Sequence, residues 1–157
     1  MFQGSIRAGI MAALLLCAAA ALGQSATVTN TYDLVVTDQS TVNACSVSEP
    51  VLLNGTIHLS YSVSTDSSGA NSFTVTAANQ LSGVGQKSGI SYGADDSSTF
   101  NSNTTDSSTD MTVDLKSDLT PQGGGVGLIL VQTLHIVVDT TGNISAQVVS
   151  NSTSCGS

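Results

Sequence analysis

The two histidines, His58 and His135, are the residues of this chain best suited to acid–base or metal chemistry. Each lies in a segment of alternating apolar and polar residues, on the less apolar of its two faces. A histidine beside an aspartate could act as the general base of a hydrolase, and imidazole with carboxylate could bind a metal ion. The two histidines are far apart in the chain, so hydrogen-bonded or solvated histidines on strands are the simpler interpretation.

Aspartates recur at every fourth position from Asp106 to Asp118, and Asp110 and Asp114 are the ones considered with the histidines as candidate ligands. Carboxylates on one face of a strand attract calcium, but a dedicated calcium site needs a dense loop of oxygen ligands. That loop is missing. The favoured interpretation is a solvated acidic face, and neither a metal nor a cofactor is predicted.

Other catalytic motifs are incomplete. The segment Gly83-Val84-Gly85-Gln86-Lys87-Ser88 resembles a phosphate-binding loop, but Gln86 separates Gly85 from Lys87 and no strand-to-helix context follows. The segment Gly89-Ile90-Ser91-Tyr92-Gly93 has the G-x-S-x-G spacing of a nucleophile elbow, but no helical pattern follows it, and Glu49 is the only glutamate. The chain is therefore predicted not to be an enzyme. The alternative is a secreted hydrolase that uses His58 or His135 with an aspartate.

These candidate residues lie on predicted β-strands. From Val51 to Val63 the odd positions are apolar apart from Gly55, and the even positions are mainly polar, which predicts a long strand with one face in a core. Similar patterns recur, with loops predicted at 39–48, 82–85 and 95–109. The prediction is an all-β, antiparallel up-and-down meander of about seven to eight strands that curls toward a barrel. A two-sheet β-sandwich is the alternative.

Cys45 and Cys155 are predicted to form one disulfide, because an exported chain with two remaining cysteines most simply pairs them. This bond would hold the start of the first core strand beside the end of the last strand.

The first residues have the layout of a secretory signal peptide. Arg7 precedes an apolar run at 10–22, and small residues precede a cleavage site before Gln24. We therefore divide the chain into a signal peptide (1–23), an N-terminal edge strand and loop (24–44) and a disulfide-clasped β-domain (45–157). The predicted mature chain is secreted or extracellular, with the periplasm or cell surface as variants, and it lacks a second apolar run that could span a membrane.

The predicted mature chain is acidic and contains no arginine. Removing residues 1–23 leaves two lysines against eleven acidic residues, a net charge of −9. Such a surface repels phosphate backbones and anionic lipids, which argues against nucleic-acid and membrane-surface partners.

Several short motifs, taken in order, resemble a group of small exported bacterial β-domain proteins of unassigned function. The resemblance covers about residues 45–155 and implies a compact β-domain with a terminal clasp and structural positions for the two histidines. It implies no catalytic residue. The motifs are Cys45, Gly55-Thr56-Ile57-His58, Ser82-Gly83-Val84-Gly85, Ser88-Gly89-Ile90-Ser91-Tyr92, His135, Thr141-Gly142-Asn143 and Cys155.

The predicted function is a non-catalytic extracellular binding or structural module, because few groups could do acid–base work and the strands carry many Ser, Thr and Asn residues. An extracellular ligand or surface partner is expected. In the alternative of a ligand-binding barrel, loop residues would line or cover its mouth. These residues are Gly83, Gly85, Lys87 and Tyr92.

Overall fold

The computed structural model describes residues 27–45 and 48–156, and the predicted signal peptide lies outside them. The described residues form eight β-strands and no helix. The strands are β1 (Thr27–Asn43), β2 (Glu49–Thr65), β3 (Asn71–Gly85), β4 (Ser91–Ala94), β5 (Ser97–Thr104), β6 (Thr109–Gln122), β7 (Leu128–Val138) and β8 (Ile144–Cys155).

The strands form one antiparallel sheet with the order β1-β2-β3-β4-β6-β7-β8. β4 and β5 occupy the same position in this order, because β4 pairs with the last part of β3 and β5 pairs with the first part. The sheet curls into a nearly closed barrel. This confirms the predicted all-β, antiparallel meander with a barrel-like shape.

The barrel closes between β1 and β8. A meander reverses direction at each step, so seven strand positions leave its first and last strands parallel. In the described residues no backbone ladder joins these two strands. The Cys45–Cys155 disulfide joins them, with 5.4 Å between the two Cα atoms, which confirms the predicted pairing. The Thr153 hydroxyl also donates to the Val42 carbonyl.

The core has the two-residue period expected from the sequence. Val51, Leu53, Ile57 and Leu59 of β2 are all buried, and so are alternate residues of β7 from Leu128 to Val138. Buried tyrosine and phenylalanine side chains also belong to this core, and a few polar residues lie among them. The buried polar side chains are Thr41, Asn43, Glu49, Asn79, Thr109, Ser117 and Gln132.

Two of the predicted loops are wrong because glycine and hydroxyl residues suggested turns where the backbone in fact continues in strands. Ser82–Gly85 belongs to β3 and pairs with β2, and a Cβ on Gly83 would lie 2.9 Å from the side chains of Val51 and Leu53. Within 95–109, residues Ser97–Thr104 form β5 and pair with β3. Local turn propensity was overridden by pairing with a neighbouring strand.

The third predicted loop, 39–48, is wrong over its first half. β1 continues to Asn43 because a bulge between Val36 and Gln39 resets its alternation, with Asp38 at a φ of 47°. After the bulge, Gln39, Thr41 and Asn43 face inward. Because these inward residues are polar, this part of the strand lacks the alternation of apolar residues from which a strand would be predicted.

None of the described segments is a helix long and apolar enough to cross a membrane.

Candidate functional site

Each histidine is paired with one aspartate on the outside of the barrel. His58 Nδ1 lies 2.7 Å from Asp33 Oδ1, and His135 Nε2 lies 2.8 Å from Asp110 Oδ1. The side chain of His58 is 46% exposed and that of His135 is 33% exposed. Within the described residues neither imidazole has a serine or threonine hydroxyl as a second hydrogen-bond partner. Each pair therefore contains the histidine and the aspartate of a catalytic triad, but no hydroxyl nucleophile is hydrogen-bonded to its imidazole.

The two pairs share a sequence spacing but differ in strand register, since Asp33 lies directly opposite His58 whereas Asp110 lies diagonal to His135. In both pairs the aspartate precedes the histidine by 25 residues, on the strand before it. The histidines lie in the related segments Thr56-Ile57-His58-Leu59 and Thr133-Leu134-His135-Ile136. Asp33 was missed as a histidine partner by the sequence analysis, and this repeated spacing is the signal that identifies it.

The candidate ligands do not form a metal site. Asp114 Oδ1 accepts a hydrogen bond from the Thr133 hydroxyl at 2.8 Å and is four residues along β6 from Asp110, a separation of about 13 Å on a strand. His58 lies on a different hairpin. Among the described residues no three His, Cys, Asp or Glu side chains are grouped so that they could hold one ion.

The loop that resembles a phosphate-binding loop holds a carboxylate of the protein itself. Glu49 Oε2 accepts hydrogen bonds from the Lys87 and Ser88 amides at 2.7 and 2.8 Å, and Oε1 accepts one from the Ser88 hydroxyl at 2.6 Å. The Ser88 hydroxyl and these amides hold the pKa of Glu49 below its usual value of 4.5. Gly85 leaves room for the carboxylate, since a Cβ there would lie 2.6 Å from Oε1.

Two of the residues predicted to line or cover the barrel mouth, Gly85 and Lys87, thus lie against Glu49, at the end of the barrel that carries the disulfide. Gly83 is a buried residue of β3, and Lys87 also donates from Nζ to the Ser48 carbonyl at 3.2 Å. Tyr92 is buried and its hydroxyl accepts a hydrogen bond from Asn43 Nδ2 at 3.0 Å. These contacts anchor the end of the barrel.

The opposite end carries two hairpin turns built alike, Asp66–Ala70 and Asp139–Asn143. In each turn the aspartate Oδ1 accepts hydrogen bonds from the amide and hydroxyl of the residue two positions later and from the amide four positions later. In the second turn the Thr141 hydroxyl is the largest of the causes that lower the pKa of Asp139 to about 2. These side-chain hydrogen bonds hold the backbone in both turns.

A continuous polar surface lies on the outside of β1, β2, β3 and β5. Eleven side chains there are all serine, threonine or asparagine, and we call this surface the hydroxyl face. Its cross-strand rows are Thr29–Ser62–Thr74–Asn101, Thr31–Ser60–Thr76–Thr99 and Ser64–Ser72–Asn103.

Hydrogen bonds order part of the hydroxyl face. The Thr74 hydroxyl donates to Asn101 Oδ1 at 3.0 Å, and the hydroxyls of Thr76 and Thr99 are 3.1 Å apart. Between β1, β2 and β3 the face has a shallow depression of about 420 Å³, lined by Thr29, Thr31, Ser60, Ser62, Thr74 and Thr76 together with Asn30 and Tyr61. The face can therefore offer many hydrogen-bond donors and acceptors to one partner.

Ionisable groups border the hydroxyl face but do not enter it. The next cross-strand row toward the disulfide contains Asp33 and His58, and Asp66 lies in the turn beyond the other end. None of the eleven side chains can ionise. These residue types are abundant in the sequence, but their position on one surface was not predicted, because Ser97–Thr104 was expected to be a loop.

Comparisons with protein-family models, with curated proteins and with solved structures found no match. The resemblance to small exported bacterial proteins therefore stays a prediction.

Proposed function

We infer that this chain is a non-catalytic extracellular module that binds a partner or takes part in an assembly through its hydroxyl face. The observation that carries this proposal is the continuity of eleven uncharged hydrogen-bonding side chains across four strands. Such side chains are short, so they lose little rotamer entropy when a partner orders them.

The packing of the interior favours an outer surface over the alternative of a small-ligand barrel. Ile57, Phe73, Tyr92 and Leu134 fill the space inside the barrel, and all four are at least 98% buried. One depression, of about 820 Å³, is open to solvent and is lined by the polar residues Asn54, Gln80 and Asp118 together with Leu81 and Ala94. A ligand pocket enclosed by the strands would require these core side chains to move.

The disulfide supports export, because such bonds persist in oxidising compartments. The acidic and hydroxyl-rich surface agrees with that location, since serine, threonine and asparagine keep the exterior hydrated where charged residues are few.

A hydrolase remains the alternative from a different class. It rests on the two histidine–aspartate pairs, neither of which has Ser91 of the G-x-S-x-G segment as a hydrogen-bond partner. Nucleophilic catalysis needs a hydroxyl or thiol within hydrogen-bond reach of the base. Assays with p-nitrophenyl esters and glycosides test this alternative. We expect no rate above that of buffer, and a rate that is abolished in His58→Asn or His135→Asn would support the hydrolase instead.

Binding through the hydroxyl face is tested by co-sedimentation of the purified, disulfide-bonded chain with insoluble extracellular polymers. The panel consists of cellulose, chitin, collagen fibres and peptidoglycan. The variant Ser60→Lys/Asn101→Lys places two charges on the face, and Ser145→Lys/Ser152→Lys places two on the outer surface of β8 as a matched control. We expect at least one polymer to retain the wild type and the control but not the face variant. Equal retention of all three chains, or no retention on any polymer, would contradict the proposal.

A further inference from the structure

We propose that the partner of the hydroxyl face is a neutral polysaccharide bound in an extended form, an inference that rests on the function proposed above. Every side chain of the face is a hydroxyl or a carboxamide, and both groups donate and accept hydrogen bonds. Sugar hydroxyls do the same. A partner that only accepts, such as a phosphate, or only donates, such as an ammonium group, would leave half of this capacity unused.

The charges on and around the hydroxyl face favour the binding of a neutral polymer over that of an acidic one. The hydroxyl face has no cation to pair with a carboxylate or a sulfate, and Asp33 and Asp66 lie beside its two ends. The chain as a whole has a formal net charge of −8. An anionic polysaccharide would therefore be repelled by the surroundings of the face without gaining an ion pair on it.

The dimensions of the face suit an extended chain. Its rows repeat about every 6.8 Å along the strands and its side chains about every 4.8 Å across them, so the face is about 14 Å wide in each direction. The depression of about 420 Å³ between β1, β2 and β3 gives one point at which a sugar ring could sink below the surrounding side chains. A polymer could then follow the rows on both sides of that point.

The face also lacks aromatic side chains, which limits the affinity for any single sugar. None of the eleven residues can stack on a sugar ring, so each contact contributes only hydrogen bonds that compete with water. Appreciable binding must then come from many contacts made at once along one polymer. We therefore expect binding to long or insoluble polymers and not to mono- or disaccharides.

The test is a set of sedimentation isotherms with the disulfide-bonded chain on microcrystalline cellulose, chitin and starch granules, and on cross-linked polygalacturonate as an acidic polymer. Ser60→Lys/Asn101→Lys and the matched control Ser145→Lys/Ser152→Lys are measured beside the wild type. Thermal unfolding of each variant, followed by circular dichroism, establishes that it is folded before binding is compared.

We expect the wild type to bind at least one neutral polysaccharide, with an affinity that changes little with salt. The face variant should bind about tenfold more weakly, because its lysines must be desolvated in the contact, and the control should match the wild type. Cellobiose at millimolar concentration should not compete.

Three results would overturn this inference. Retention on polygalacturonate alone would show that the partner is an acidic polysaccharide and not a neutral one. Retention only on collagen, lost in the face variant, would refute the polysaccharide partner while the proposed function stands. Adsorption to ice crystals, with thermal hysteresis, and no binding to polysaccharides would assign the hydroxyl array to ordered water instead.

Discussion

At the scale of single residues, the clearest feature is the only glutamate of the chain. Glycine-rich turns with exposed amides bind anions, and here the anion is the carboxylate of Glu49. Glu49 follows Ser48 at the start of β2, so the contact ties the turn after β3 to the disulfide end of the barrel. The sequence allowed this loop to be recognised as an incomplete phosphate site, but only the fold identifies its occupant.

Replacing Glu49 with glutamine should lower the thermal midpoint at pH 7 by several degrees, because the amide nitrogen of glutamine cannot accept the hydrogen bonds that the carboxylate accepts. The folded pKa of Glu49 is lowered, so its stabilisation is fully present above about pH 4.5 and is lost as the pH falls through the folded pKa. The difference in thermal midpoint between the wild type and Glu49→Gln should therefore become smaller below pH 4.5. Thermal melts over this pH range measure it.

Asp95→Asn is the matched control for that experiment, since this carboxylate is exposed between β4 and β5. It should leave the midpoint at pH 7 unchanged. If Glu49→Gln and Asp95→Asn have the same melting curves, the carboxylate does not stabilise the turn.

The turn aspartate Asp139 offers a second test at this scale. Its hydrogen bonds from Thr141 and Asn143 favour the charged form and lower its pKa to about 2 from a usual value of 3.8. The stability from this group is present above pH 3.8 and is lost as the pH falls toward 2. Carbon-13 NMR titration of the side-chain carboxyl should place its midpoint near 2, and a midpoint near 3.8 would show that the turn is open in solution.

Among the strands, alternation of apolar and polar side chains predicted those that line the core and failed to predict those whose residues are mainly polar. β2 and β7 were predictable because their inward residues are large and apolar. β5 was not, because seven of its eight residues are Ser, Thr or Asn and its strand geometry comes from pairing with β3. The hydroxyl face could not be assembled from the sequence for the same reason. The histidines were predictable as candidates, but their aspartate partners depend on strand register.

The pairing of β2 with β3 depends on a glycine at one position. Gly55 has a φ of 145°, and a Cβ there would lie 2.1 Å from the Gln80 carbonyl oxygen. Gly55→Ala should lower the free energy of unfolding by about 2–5 kcal/mol, from backbone strain and from displacement of β3. Gly93→Ala is the control, because its Cβ would meet only Gln122 Nε2, at 3.6 Å, and it should change stability by less than about 1 kcal/mol. Urea titrations give both values, and similar losses in the two variants would contradict this account of the strand pair.

At the scale of the whole molecule, the number of strand positions determines how the barrel is closed. Because β1 and β8 are parallel, they cannot extend the antiparallel ladder, and the disulfide and side-chain contacts join them instead. Buried Gln132 reaches this junction, where its Nε2 donates to Gln39 Oε1 at 2.7 Å. The sequence predicted the disulfide from its two cysteines, but the parallel junction follows only from the strand count.

Reduction of the disulfide should therefore weaken the junction. The bond links residues 110 apart, and the chain-entropy model gives a loss of about 4–5 kcal/mol when such a loop is opened. Urea unfolding with and without a reducing agent measures this loss, and hydrogen exchange should rise in β1 and β8 before it rises in β2 and β3. Uniform exchange in all strands of the reduced chain would show that the junction is not the weakest part of the barrel.

NMR mapping of the labelled, disulfide-bonded chain during titration with soluble hydroxyethylcellulose, a neutral polymer, locates the binding surface residue by residue. We expect amide shifts to change in the rows that contain Ser60, Thr74 and Asn101, and those of β8 and the Glu49 turn to stay unchanged. Changes confined to β8 or to the interior of the barrel, or none at saturating polymer, would contradict the assignment of binding to the hydroxyl face.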